Sequence, residues 1–252
     1  MRTRAGRVLR RAQVTITDND AVTARAIQLG ALPSKVVSFP WGVDHEVFVQ
    51  EGPNLRRELG INRDDVVILS VRTHEPLYDV QTLVRAFITI SHETPSARLV
   101  LGGVHGSTTA LLRKMLEQAG LVERVRFPRP LSGPALAALY RTADIYVSTS
   151  PVDGSSVSLL EAMSCGLPVV VTDVPGNKQW VDQETGWRFA AGDSRDLSGI
   201  LQTMAADLTA RTRRAEAGRS RAREYADWAF GKRALVNALQ TAIASHNPEE
   251  AG

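Results

Sequence analysis

The sequence contains a single cysteine, Cys165, so no disulfide can form within the chain. Its five histidines are scattered without the spacing of metal ligands, and no apolar run is long enough to cross a bilayer. The arginine-rich start is followed by no apolar segment, as a secretory signal would require. We therefore expect a cytoplasmic protein that holds no metal and needs no cofactor.

Charge of one sign is also not in large excess, since 30 basic residues face 27 acidic ones. The basic residues cluster at 2–11 and 211–223. The second cluster has few interleaved aromatic side chains that could stack on bases, so nucleic acid is not an expected partner. A solvated helix face explains the second cluster. The alternative is peripheral contact with an anionic surface, such as the inner face of the membrane or a lipid-phosphate substrate.

From about residue 54 to residue 190, short β-branched runs alternate with amphipathic segments. This alternation predicts an α/β fold, a Rossmann-like parallel sheet with helices on both faces. The predicted strands are residues 66–71, 98–101, 124–127, 144–149, 168–172 and 187–189. The predicted helices are residues 80–91, 108–120, 133–142 and 157–165, and further helices follow at 194–207, 210–227 and 230–245.

The first 48 residues predict a strand at 14–17, a helix at 20–29 and a strand at 35–39. Two strands do not make a stable domain alone. They must therefore either join the main sheet or belong to a second sheet that is mostly absent.

The segment from Asp153 to Glu161 is the strongest functional signal. It runs from a predicted strand through a loop of small residues (Gly154, Ser155 and Ser156) into a helix that begins at Val157. Glycine allows close approach to the backbone, and the free N–H groups of a helix start favour an anion such as a diphosphate. The two flanking carboxylates suit sugar hydroxyls, so the segment indicates a nucleotide-sugar site.

The same residues also have a purely structural interpretation. Ser158 and Glu161 fit a capping box, and Gly154 fits an ordinary turn. The position of the loop favours a ligand, because in parallel α/β sheets ligands bind beyond the carboxyl ends of the strands.

The order of these segments resembles the C-terminal, donor-binding half of a family 4 (group 1) glycosyltransferase of the two-domain GT-B fold. Pro40-Trp41-Gly42-Val43-Asp44 is similar to the link between the family's domains. The segment 153–161, followed by Gly166-Leu167-Pro168-Val169-Val170, resembles the glutamate-x7-glutamate signature and its continuation. The resemblance implies a remnant of the acceptor (N-terminal) domain at 1–48, a nucleotide-sugar-binding domain at 49–228, and a C-terminal helix and tail at 229–252.

The resemblance also implies roles for single residues. Glu161 would bind ribose hydroxyls, the N–H groups of Ser156 and Val157 would hold the diphosphate, and Asp153 would face the donor sugar. Arg72 would neutralise the leaving diphosphate. Gly102 and Gly103 would let sugar or phosphate approach the backbone, for which a plain tight turn is the alternative.

Three positions depart from the family pattern. Asp153 stands in place of a glutamate, Tyr78 in place of a lysine, and Gln179 in place of a frequent glutamate. The first two changes bear directly on how the phosphates are neutralised and on which donor is bound.

The resemblance implies a retaining glycosyltransferase that transfers a hexose-type sugar from a nucleotide diphosphate to a sugar or lipid-linked acceptor. The alternative is a non-catalytic donor-binding subunit, or a truncated remnant, that needs a separate acceptor-binding partner. A sugar-nucleotide epimerase of the same fold is a third option that the signature favours less. Because the apolar residues of the predicted strands at 14–17 and 35–39 need cover, we also expect self-association or a partner domain.

Overall fold

A computed structural model describes residues 2–246. The strands are β1 (Thr15–Thr17), β2 (Val36–Ser38), β3 (Val66–Ser70), β4 (Ala97–Leu101), β5 (Val125–Arg126), β6 (Ile145–Ser148), β7 (Val169–Thr172) and β8 (Trp187–Phe189). The last six strands are parallel and form the main sheet in the order β5-β4-β3-β6-β7-β8. The sequence-based prediction of a parallel sheet flanked by helices is confirmed. The helices are α1 (Arg2–Arg11), α2 (Asp20–Leu29), α3 (Val80–Ser91), α4 (Thr109–Gln118), α5 (Gly133–Tyr140), α6 (Val157–Ser164), α7 (Pro175–Lys178), α8 (Ser194–Ala206), α9 (Leu208–Tyr225) and α10 (Trp228–His246).

The main sheet is buried on both faces, which explains why its strands are nearly continuous apolar runs. Val67 and Leu69 pack into one core cluster with residues of α5, α6 and α9. Ile68, between them in sequence, packs into a second cluster with residues of α3, α4 and α8. This alternation follows from the period of two in a strand, and it shows that helices cover the sheet on both faces in a three-layer fold.

The first two strands do not join the main sheet. β1 and β2 pair with each other in parallel and form a separate two-stranded sheet. The first arrangement left open by the sequence, in which these strands join the main sheet, is therefore wrong, and the strands belong to a second sheet. Phe39 is buried, whereas Val14, Ile16, Val36 and Val37 are half-buried. Helix α1, which the sequence pattern did not predict, packs against α2.

The junction between α9 and α10 contacts the link that follows β2. The N–H of Trp228 donates to the carbonyl of Val43, and the N–H of Val43 donates to the carbonyl of Ala226. The start of α10 lies so close to this link that a side chain at Gly231 would meet the carbonyl oxygens of Pro40 and Trp41. The domain boundaries near residues 48 and 228 stay a prediction.

Among residues 2–246, no helix is both long and apolar enough to cross a membrane.

Candidate active site

A cavity of about 300 Å³ lies where β3 and β4 end and α6 begins. The carboxyl ends of neighbouring parallel strands meet at one edge of a sheet, so residues distant in sequence converge there. Five of the nine residues predicted from the sequence line this cavity: Arg72, Gly102, Gly103, Val157 and Glu161. Its wall also includes Tyr78, Val104, Pro130, Leu131, Leu136 and Ser158.

The start of α6 offers N–H groups to this cavity. Ser156 is the N-cap residue, and its side chain makes no capping hydrogen bond. The first N–H groups of a helix have no partner within the helix, and within residues 2–246 those of Ser156 and Val157 have no backbone acceptor. These groups, together with the positive end of the helix dipole, can bind an anion.

The capping-box interpretation of Ser158 and Glu161 is wrong. The helix begins two residues earlier than a capping box would require. The hydroxyl of Ser158 accepts from Arg72 Nη1 at 3.1 Å and from the Tyr146 hydroxyl at 2.8 Å. Glu161 accepts a hydrogen bond from another part of the fold, and neither side chain serves the helix end.

Arg72 follows β3 and is held from several sides. Its Nη2 lies 3.1 Å from Asp153 Oδ2, and each side chain of this ion pair is only 11% exposed. Its Nη1 donates to Ser156 Oγ at 2.9 Å. The guanidinium carbon lies 4.4 Å from the centre of the Tyr78 ring, which is a cation–π contact. The structure thus brings Arg72, Asp153 and Ser156 together, as the sequence predicted.

Tyr78 stands where the family pattern has a lysine, and its ring packs against Arg72. It supplies no charge, but its ring covers the face of the one guanidinium that lines the cavity. The turn that carries Tyr78 ends at Asp79, whose φ of 44° is the only left-handed value at a non-glycine position among residues 2–246. Thr82 Oγ1 donates to the Asp79 carboxylate at 2.6 Å, which stabilises this turn.

Glu161 is the most strongly perturbed acid of the cavity. Burial raises the pKa of its carboxyl group to about 7, and a hydrogen bond from Tyr140 opposes this shift. The Tyr140 hydroxyl donates to Glu161 Oε2 at 2.8 Å. A carboxyl group poised near neutrality in a cavity is typical of a functional site.

Burial also raises the pKa of Asp153, although the neighbouring Arg72 acts in the opposite direction. Desolvation of the charged carboxylate therefore outweighs its attraction to a single arginine. An ion pair so enclosed is held in place by its surroundings and is not a flexible surface contact.

Gly102 and Gly103 are required by packing within the protein. A Cβ atom at Gly102 would lie 2.5 Å from Leu139 Cδ2, and one at Gly103 would overlap the Arg72 carbonyl group. Close contacts with Leu139 and with the Arg72 backbone therefore explain both glycines, and neither has the left-handed φ that a tight turn would require. Their backbone still lines the cavity.

Gly154 and Ser155 face a different neighbour. The Asp18 carboxylate, which follows β1, accepts a hydrogen bond from the Ser155 N–H at 2.8 Å. The same carboxylate fills the space where a Cβ of Gly154 would lie. The sequence predicted that a ligand would approach the backbone here. In this structure that close approach is made by Asp18.

Sequence reasoning missed three residues of this region: Asp18, Tyr140 and Ser158 as a partner of Arg72. Tyr140 lies on α5 and Asp18 in the N-terminal part, far from the loop in sequence. No local motif marks either, and only their fully formed contacts identify them. Ser158 lies within the signature itself, where its spacing to Glu161 suggested a cap instead.

Among the described residues 2–246, no group of three or more histidine, cysteine or acidic side chains is arranged to hold a metal ion. The cavity instead offers one arginine and the N–H groups of a helix start as its means of binding an anion.

Comparisons with known proteins identify the family and the fold. The family model described as "Glycosyl transferases group 1" matches residues 52–221. A D-inositol 3-phosphate glycosyltransferase from Thermomonospora curvata is 32% identical to this chain. The aligned region covers 88% of this chain and 57% of that relative. HepE from Anabaena, crystallised with UDP and glucose, superimposes with a TM-score of 0.83 and 21% identity, covering 92% of this chain and 64% of HepE.

The C-terminal domain of a group 1 glycosyltransferase, LpcC from Francisella tularensis, has a TM-score of 0.65 and 21% identity. This match covers 74% of the present chain and 99% of that domain. The chain thus spans little more than half of the curated relative, and it covers nearly all of that C-terminal domain. The match over residues 52–221 and the 32% identity show that the chain belongs to the group 1 glycosyltransferases of the GT-B fold.

Proposed function

We propose that this chain binds the nucleotide-diphospho-sugar donor of a retaining glycosyltransferase. The observation that carries the proposal is the shared cavity of Arg72, Glu161 and the start of α6. It combines a cation, a carboxylate and unpartnered N–H groups within one space. This is the set of groups that a diphosphate joined to a ribose requires.

Each part of the donor has a partner in this proposal. The diphosphate accepts hydrogen bonds from the N–H groups of Ser156 and Val157 and lies against Arg72. The ribose hydroxyls donate to the carboxylate of Glu161. The base packs against apolar residues of the cavity wall, for which Val104, Pro130, Leu131 and Leu136 are available.

Asp153 then faces the sugar. In the unliganded arrangement its carboxylate is paired with Arg72 at 3.1 Å. A diphosphate at Arg72 would share that guanidinium and leave one carboxylate oxygen of Asp153 to accept from a sugar hydroxyl. An arginine can serve both partners because it offers five N–H donors in a fixed fork.

In the proposed reaction, the bond between the anomeric carbon of the sugar and the diphosphate oxygen breaks. The oxygen of an acceptor hydroxyl bonds to the anomeric carbon on the face from which the diphosphate leaves. Negative charge grows on the departing diphosphate as the bond breaks. Arg72 and the N–H groups at the start of α6 are already oriented toward that charge, so little reorganisation is needed. The acceptor proton leaves with the diphosphate, and the transferred sugar keeps its anomeric configuration.

The acceptor is proposed to be a sugar, a related polyol or a lipid-linked sugar. The curated relative is named for D-inositol 3-phosphate, a polyol with free hydroxyls. We propose a hexose-type donor sugar, which fits a hydroxyl-binding carboxylate at Asp153. We place the reaction in the cytoplasm.

A second candidate is a donor-binding subunit that transfers sugar only with a separate acceptor-binding partner. The observation that favours it is a group of exposed aromatic side chains near the link, namely Trp41, Trp228 and Phe230, which are 36%, 42% and 55% exposed. Clustered apolar surface of this kind commonly marks an interaction site.

Calorimetry with UDP, GDP and ADP, and then with their hexose conjugates, tests donor binding. UDP is the first probe because HepE was crystallised with it. Glu161→Ala should lower the affinity by about one to two decades, since it removes hydrogen bonds to a charged group. The matched control is Glu184→Ala, on an exposed turn that precedes β8 at the opposite edge of the sheet. Failure of the folded chain to bind any of these nucleotides would refute the proposal.

A further inference from the structure

Asp18 joins the N-terminal sheet to the loop that precedes α6. It is the first residue after β1, and its Oδ2 accepts from the Ser155 N–H at 2.8 Å. Its Oδ1 accepts from the side chain of Asn19 at 3.0 Å. Asn19 is fixed in turn, because its own side-chain oxygen caps α2 through the Val22 N–H at 2.8 Å. The carboxylate is therefore held from both sides.

The loop is shaped to receive this carboxylate. The three atoms nearest to a Cβ built at Gly154 all belong to Asp18. The φ of Gly154 is not in the left-handed region, so backbone conformation does not require a glycine there. Gly154 is needed because the Asp18 carboxylate occupies the space of a side chain.

The far side of the loop is equally tight. A Cβ at Gly176, at the start of α7, would overlap the carbonyl oxygens of Asp153 and Gly154. The peptide between Gly154 and Ser155 is thus enclosed by α7 on one side and by Asp18 on the other. Of these two contacts, only the one with Asp18 is a hydrogen bond to a charged group.

We propose that Asp18 is a positioning residue for the loop that precedes α6. Its carboxylate fixes the Gly154–Ser155 peptide so that the N–H groups of Ser156 and Val157 point into the cavity. The inference rests on the proposed binding of a nucleotide diphosphate. Because each peptide is planar, fixing the orientation of one restricts the next to rotation about only two dihedral angles. The contact with Asp18 therefore narrows the range of directions that the N–H groups of Ser156 and Val157 can take.

Two opposite effects of this carboxylate can be compared. Its negative charge repels a diphosphate, whereas its hydrogen bond preorganises the donors that bind it. The two N–H donors that Asp18 accepts from, Ser155 and Asn19, partly offset its charge. Preorganised N–H groups act on the diphosphate at hydrogen-bond distance, and solvent in an open cleft weakens the more distant repulsion. Positioning is therefore expected to dominate.

The test is calorimetry on the full chain with two ligands, UDP and uridine. Asp18→Ala should weaken UDP about tenfold, because the loop loses a hydrogen bond to a charged group, while leaving uridine within twofold. Uridine carries no phosphate, so general damage to the cavity would weaken both ligands alike. Asp20→Ala is the matched control, since Asp20 is exposed in the first turn of α2.

A second experiment tests whether the Asp18 carboxylate and a side chain at position 154 compete for the same space. In the wild-type background, Gly154→Ala should weaken UDP about tenfold, because the new methyl group displaces the Asp18 carboxylate. In the Asp18→Ala background the same change should cost less than about threefold, because the space is then empty. Additive losses in the double variant would overturn the proposal.

The outcomes separate this inference from the proposed function. If the wild-type chain binds UDP but Asp18→Ala binds it equally well or more tightly, Asp18 does not position the loop and the donor site stands. If the folded wild-type chain binds neither UDP nor another nucleoside diphosphate, the proposed function itself fails. A loss of UDP and uridine affinity by the same factor in Asp18→Ala would also overturn the positioning role.

Discussion

The ionisation of Glu161 should govern donor affinity near neutral pH. Burial raises the pKa of this carboxyl group to about 7 in the unliganded chain. Ribose hydroxyls donate to a carboxylate more strongly than to a neutral carboxylic acid, so a bound nucleotide favours the ionised form. Binding must then release a proton wherever Glu161 is protonated in the free chain, and affinity must rise with pH.

The size of the effect follows from this pKa. If the bound donor lowers the pKa to its ordinary range, affinity at about pH 6 is limited by the roughly one-tenth of chains that are ionised. At about pH 8 nearly all chains are ionised. Affinity should therefore rise about tenfold between these pH values and level off above them. The largest proton release on binding is expected at the low end of this range.

The assay is calorimetry with UDP-glucose at a series of pH values. This ligand is chosen over UDP because a terminal phosphate itself titrates near pH ~6, whereas both phosphates of the sugar conjugate are esterified. Glu161→Gln should bind more weakly and without pH dependence. Tyr140→Phe removes the hydrogen bond that lowers the pKa of Glu161. The rise in affinity should therefore occur at a pH about one unit higher than in the wild type.

An affinity of the wild-type chain that stays constant, or rises, as the pH falls from about 8 to 6 would refute the reasoning. So would a Glu161→Gln variant with the same pH profile as the wild type. Tyr225→Phe is the control for the aromatic substitution, because Tyr225 is 60% exposed at the end of α9.

Four other results are expected. Arg72→Ala should weaken UDP by about one to two decades but leave uridine nearly unchanged, as measured by calorimetry. Because the variant leaves the Asp153 carboxylate without its cation, the free energy of unfolding should fall by about 3–5 kcal/mol in urea titrations at neutral pH, and adding Asp153→Asn should restore much of it. UDP affinity should be equal in EDTA and in magnesium, and a strong loss in EDTA would contradict the proposed site. Light scattering should detect self-association of the chain, whereas a stable monomer that transfers sugar to an acceptor would show that the exposed apolar surface needs no cover.

The main sheet could be predicted from the sequence because its signals are local. Runs such as Ile145 to Val147 and Val169 to Val171 are apolar at every position, which is typical of a strand buried on both faces. The ends of the observed strands lie within one residue of the predicted ones: β5, predicted at 124–127, loses one residue at each end, whereas β4 begins one residue earlier than predicted. Helix α1 was not predicted, because its arginine-rich sequence has a narrow apolar stripe and its packing partner, α2, follows later in the chain.

The candidate site was predictable only in part. The loop at 153–157 follows β6 and leads into α6, which carries Glu161, and Arg72 follows the neighbouring strand β3, so the topology brings these residues together. The reasons for the glycines were not predictable, since the atoms that exclude a side chain at Gly102 and Gly154 come from α5 and from the end of β1. A sequence pattern shows that space is needed at a position, but it does not show what fills the space.

The charge balance of the cavity links these observations. The lysine of the family pattern is replaced by Tyr78, so Arg72 is the one basic side chain lining the cavity, and Asp153 already pairs with it. Arg72 therefore binds the diphosphate at full strength only when a hydrogen-bond donor other than Arg72 interacts with the Asp153 carboxylate. A sugar hydroxyl at Asp153 is such a donor. We therefore expect a diphosphate with its sugar attached to bind more tightly than the free nucleoside diphosphate, although its net charge is lower. Calorimetry with UDP and UDP-hexoses measures this order. Tighter binding of UDP than of every conjugate tested would show that Asp153 does not release Arg72 in this way.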